Sequence, residues 1–177
     1  MGRLLRLLDG HEELRAALRA HQEAVAAGDL EAARTAWDRF HARLDAHSRA
    51  EDELLLPRLA AGGPTSVGGG VELFDREHRK LRRLAAAAHR RIHDAAVGEL
   101  PPGLRVDWIE ALHVLKELLA HHDERERAAL HPVLEDRLGA AEADELARRC
   151  SDREAELAAA WTGPLGADVV EGPRSAS

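Results

Sequence analysis

Cysteine is almost missing from this chain. Cys150 is the only one in 177 residues, so no intrachain disulfide can form and a reducing, cytoplasmic setting is the expected one. Tyrosine is absent and aromatic residues make up only 3% of the chain. That is poor material for a β-sheet, and it excludes any mechanism built on a tyrosine hydroxyl or tyrosyl radical. Long apolar runs are missing too, so no membrane span is expected. The N-terminal "GRLLRLLDG" is too short for a signal segment and is interrupted by Arg6. There is no excess of positive charge either: the formal net charge is −7, which gives no reason to expect a nucleic-acid partner. The arginines at Arg79, Arg82, Arg83, Arg90 and Arg91 read as a solvated helix face.

What is present is helix-forming material. Hydrophobic residues are 45% and charged residues 32% of the chain, dominated by Ala, Leu, Glu and Arg, as in amphipathic helices. Breaks fall at Gly28-Asp29, in "AAGGPTSVGGG" (60–70), in "VGELPPG" (97–103) and at Gly139. Asp29 is a predicted N-cap, and "DWIE" from Asp107 a possible capping box with helix starting there or a few residues earlier.

Between the breaks, apolar positions step by alternating threes and fours. The first seam runs Leu4, Leu7, His11, Leu14, Leu18, His21, Val25, and the second Ala33, Trp37, Phe40, Leu44, His47, Glu51, Leu54. The third carries Phe74, His78, Leu81 and Ile92, and the fourth Trp108, Leu112, Leu115, Leu119, His122, Glu126, Ala129 and Val133. These seams predict an all-α protein: an up-down-up-down four-helix bundle over residues 1–138 with an additional C-terminal helix at 139–161 and a flexible tail at 162–177. The fifth helix presents Leu146, Cys150, Leu157 and Trp161 on one face, which would pack outside the bundle or on a second subunit, making a homo-oligomer possible there.

The polar residues on these seams demand an explanation. "HSRAEDELLLP" (47–57) matches "HDERERAALHP" (122–132): His, Glu at +4 and Pro at +10. The preceding seam of each pair supplies one more histidine, His11 and His78. An ionised glutamate in an apolar seam costs several kcal/mol unless it meets a cation. Residues at i and i+4 share a helix face, so His47/Glu51 and His122/Glu126 each aim two donor groups at one level. Four imidazoles and two carboxylates converging there predict a dinuclear metal site. Its ligands are His11, His47, Glu51, His78, His122 and Glu126, with both glutamates bridging. Mixed nitrogen and oxygen donors suit iron, in preference to zinc or manganese.

This pattern resembles the hemerythrin-like, or HHE cation-binding, family over about residues 4–137. The resemblance implies two iron ions in an oxo- or hydroxo-bridged di-iron centre. It also implies a small diatomic or peroxide ligand: O2, NO or peroxide, bound, sensed or consumed in an oxidoreductase reaction. The oxygen-carrying hemerythrins have a second histidine one turn after the third-helix ligand; here that position is Arg82. Six protein ligands leave more coordination positions open, which favours ligand exchange or redox turnover over simple oxygen carriage. An alternative is a structural or stored metal in a helical interaction module.

Other residues receive plainer readings. His21 lies on a seam about 15 Å along the helix from His11 and is expected to be a core-edge histidine. His41, His89, His93, His113, His121 and His131 fall off the stripes and are expected at the surface. Asp52 and Glu77 adjoin ligands but point around their helices; they are expected in solvent, with support of the neighbouring ligands as the lesser alternative. Pro57 and Pro132 should kink or end their helices.

Overall fold

The computed structural model describes residues 4–63, 70–95 and 100–163. All regular structure among them is helical. A 3-10 turn (Leu4–Leu7) leads into α1 (Leu8–Ala27). Then follow α2 (Leu30–Leu54), α3 (Leu56–Ala61) and α4 (Val71–His93). The fourth seam becomes α5 (Pro102–Ala111), α6 (His113–Arg125), a π turn (Glu126–Leu130) and α7 (His131–Leu138). The last helix is α8 (Ala140–Ala159). The expected loop at 60–70 lies outside the described residues for 64–69, as do 97–99 of the third break and the tail beyond 163. No helix among the described residues is long and apolar enough to cross a membrane.

The punctuation acts as the residue types dictate. Gly28 ends α1 at φ +82° and Asp29 starts α2, its carboxylate accepting from the Ala32 amide at 2.9 Å. Gly139, at φ +72°, separates α7 from α8. Pro57 falls in the first turn of α3, two residues past a break at Leu55, where its missing N–H costs nothing. The "DWIE" capping box does not form: the helix begins at Pro102 and Asp107 lies within it. That helix breaks at Leu112, whose amide turns back to the Ile109 carbonyl. Pro132 follows the π turn, in which the His131 amide reaches back five residues to the Glu126 carbonyl.

Two apolar clusters make the core. One holds Trp37, Phe40, Leu44, Leu81, Leu115 and Leu119; the other holds Leu4, Leu55, Phe74, Leu130, Leu146 and Cys150. On α1, α2, α4 and the α6–π segment, the six predicted ligands fall along their seams between residues of one cluster and residues of the other. His11, for example, stands between Leu7 and Leu14, and His78 between Phe74 and Leu81. The order of the clusters reverses from each of these helices to the next. The apolar face of α8 packs within the chain, against α2, α7 and the N-terminal turn. Burial raises the Cys150 thiol pKa, which leaves it an inert packing group.

Candidate metal centre

Each of the four predicted histidine ligands arrives on a different helix: His11 on α1, His47 on α2, His78 on α4 and His122 on α6. All four are buried, and Glu51 and Glu126 are 0% exposed. The Nε2 atoms of His11 and His47 approach to 2.7 Å, and those of His78 and His122 to 3.0 Å. The glutamates cross between these pairs. Glu51 lies 3.6 Å from His47 Nε2 and 3.3 Å from His78 Nε2. Glu126 lies 2.9 Å from His11 Nε2 and 2.6 Å from His122 Nε2. The result is two four-residue clusters, His11/His47/Glu51/Glu126 and Glu51/His78/His122/Glu126, with donor atoms in each all within 4.8 Å of one another. Both carboxylates belong to both clusters.

The outward nitrogens are held as well. His11 Nδ1 meets Asp123 at 2.7 Å, His78 Nδ1 meets Asp52 at 2.6 Å, and His122 Nδ1 meets Glu77 at 3.0 Å. His47 Nδ1 lies 3.4 Å from Glu154, which comes from α8. A carboxylate at Nδ1 makes that nitrogen the donor and leaves Nε2 a lone pair facing inward. Arginines hold three of these carboxylates in turn: Arg15 binds Asp123, Arg82 binds Asp52 at 2.8 Å, and Arg125 binds Glu77.

This arrangement asks for cations. Paired Nε2 lone pairs at hydrogen-bond distance repel unless something positive lies between them. With the imidazoles in that tautomer, none of the four buried oxygens of Glu51 and Glu126 has a hydrogen-bond donor. Burial alone would keep the imidazoles neutral. Without a metal, the surrounding carboxylates reverse this and raise the pKa of His11 to about 10 and of His122 to about 9, with His78 shifted upward too, so that a second proton takes the place a metal ion would fill. Nitrogen and oxygen donors, negative charge and an inward-facing tautomer fit the binding of metal cations.

Several sequence expectations need correction. Asp52 and Glu77 are not solvated residues; each binds a seam histidine on a neighbouring helix. Asp123 and Glu154 play the same part and drew no notice in the sequence. Arg82, at the position of the absent seventh ligand, donates to Asp52 and to Ser48 Oγ at 2.9 Å. His41 and His131 are buried rather than exposed, and His89 is half-buried. His41 is covered because α2 packs against α1, α4 and α8, so a single seam undercounts its buried face. His131 follows from the π turn, which brings residue i+5 rather than i+4 beneath Glu126. His93, His113 and His121 are exposed as expected, and His21 is a core histidine bonded to the Ala33 carbonyl at 2.8 Å.

His131 is 0% exposed, and neither ring nitrogen has a hydrogen-bond partner in the protein. Burial lowers its pKa, so the ring is neutral. Unmet polar atoms of this kind cost about 1–3 kcal/mol. His131→Leu should therefore raise the stability of the metal-free chain by about that amount, measured by denaturant unfolding. A loss of stability instead would show the ring to be hydrogen-bonded in solution.

Residues 5–68 match the family model of the hemerythrin HHE cation binding domain. The matched span carries His11, His47 and Glu51 but ends before His78, His122 and Glu126. No curated protein and no solved structure matches the chain.

Proposed function

We propose that the chain is a hemerythrin-like protein whose six buried ligands, His11, His47, Glu51, His78, His122 and Glu126, hold two iron ions that bind or react with O2, NO or peroxide. The observation that carries this reading is the sharing of Glu51 and Glu126 between the two histidine clusters. Support also comes from the family match over the first hairpin, and from the second hairpin repeating its geometry outside the match. The reversing order of the two core clusters along α1, α2, α4 and α6 supports an up-down-up-down four-helix bundle within residues 1–138, with α8 as an accessory helix.

The chain's own residues divide the work. The four imidazoles would hold one ion per pair through Nε2, and the glutamates would fix the spacing between the ions. Asp52, Glu77, Asp123 and Glu154 keep the imidazoles in the tautomer that offers a lone pair inward. When bound, the iron pair supplies redox capacity and open coordination positions for a small ligand. Leu44, Leu81, Leu115 and Leu119, all buried, make the neighbouring core apolar and exclude water from it. With Arg82 committed to Asp52, six protein ligands remain, which favours exchange or turnover over simple oxygen carriage.

The test is metal content and optical spectroscopy of chain purified without oxygen. About two irons per chain, with a visible spectrum that changes on adding O2, NO or peroxide, is the expected result. A colourless zinc protein inert to all three would refute the reading.

A further inference from the structure

A second group of nitrogen and oxygen donors lies away from the buried centre. His89 and His93 occupy successive turns of α4 and share a face, their rings stacked at 4.2 Å. Opposite them on α2 stands Asp38. Its Oδ1 is 2.8 Å from His93 Nε2 and 3.4 Å from His89 Nδ1. One donor atom from each of the three residues falls within a 4.8 Å set.

The surroundings hold this group in shape. Arg34, one turn before Asp38 on α2, donates to the Ile92, His93 and Ala95 carbonyls, pinning the end of α4 against α2. Behind the cluster lies His41, buried, with its ring 5.4 Å from His89 and its Nδ1 without a partner. Trp161, just past α8, closes the side at 5.5 Å from His41 and 6.1 Å from His89. Asp38 and His93 remain about a third exposed, so solvent reaches the donors from one side.

The donor set has a chemical meaning. Two imidazoles and one carboxylate from two rigid helices, with an open side for water, is a three-ligand pattern that suits zinc and its neighbours. His89 Nδ1 is buried without a hydrogen bond although Asp38 is near. Burial, aided by nearby His93, lowers the pKa of His89, and burial, aided by His89, lowers that of His41 to about 4. His89 is thus held in the neutral form that offers a lone pair. The C-terminal end of α4 adds a partial negative charge that favours a cation.

We propose that Asp38, His89 and His93 form a second, mononuclear site for an exchangeable divalent ion of the zinc class. It is separated from the buried centre by about 16 Å along α4, the eleven residues from His78 to His89 at 1.5 Å each. Its open side gives the ion direct exchange with solvent, which the buried centre lacks. Nothing in this site depends on what the buried centre holds.

The test uses the full chain loaded with iron and titrated with Zn2+ by calorimetry, and with Co2+ by absorption and tryptophan fluorescence. The expected result is one further equivalent of Zn2+ per chain with iron content unchanged. Co2+ should bring visible ligand-field bands and quench emission from the neighbouring Trp161. His89→Gln/His93→Gln should lose that equivalent, the bands and the quenching while keeping its iron. Asp38→Asn, a change at a partly exposed side chain, tests the same point should the double variant not fold. Glu51→Gln/Glu126→Gln, which disables the buried centre, should still take up the single Zn2+. That arm separates failure of this proposal from failure of the iron reading. Zn2+ uptake that is absent in the parent chain, undiminished in the Asp38 and histidine variants, or lost with the glutamates would overturn the second site.

Discussion

Glu126→Gln is expected to prevent loading of both metals, not of one. Its two oxygens reach His11 at 2.9 Å and His122 at 2.6 Å, one histidine from each pair, with His78 a further 3.8 Å contact. An amide keeps the shape but removes the negative charge and replaces one acceptor by a donor aimed at an imidazole lone pair. Loss of an outer carboxylate typically weakens a metal site about 10–100-fold; loss of a shared inner one should weaken both sites by more than about 100-fold. Glu51→Gln should act in the same direction, since Glu51 also spans the pairs, at 3.6 Å and 3.3 Å. His21→Gln is the control, because that ring is occupied by the Ala33 carbonyl and lies outside both clusters. Iron analysis of the three variants decides the matter: equal loss in all three would show that the effect is general destabilisation.

The inner residues were legible because two independent repeats agreed. His and Glu at i and i+4 recur at 47/51 and 122/126, each preceded by a histidine on the seam before, and all six meet in space. The outer carboxylates were illegible for a related reason. Asp52 follows Glu51, Asp123 follows His122 and Glu77 precedes His78, so each sits off the seam and points toward an adjacent helix. A seam reading sees one face of each helix and assigns everything beside it to solvent. Which neighbour a flanking residue meets depends on helix adjacency, and that comes only with the fold. His131 was hidden by the π turn, since a strict three-and-four step cannot anticipate an inserted residue. His41 was hidden because α2 is covered on more than one side.

Glu154→Gln should weaken one metal and spare the other. On the second hairpin, the residue before the seam histidine, Glu77, supplies the carboxylate for His122 Nδ1. The corresponding residue before His11 is Gly10, which has no side chain to offer. A Cβ placed on Gly10 would stand 3.5 Å from Glu154 Oε1 and 3.8 Å from His47 Nδ1. The last helix therefore delivers, from outside the seams, the carboxylate that the first hairpin lacks. Glu154→Gln should lower affinity about 10–100-fold for the ion at His11/His47, and Glu77→Gln should do the same at His78/His122. Chelator competition on each variant would resolve one tight and one weak ion where the parent chain has two of similar strength. Gly10→Glu in the Glu154→Gln background moves the carboxylate from α8 to α1, copying the Glu77 arrangement, and should recover part of the lost affinity. If Glu154→Gln leaves both ions equally tight, α8 serves the site through packing alone.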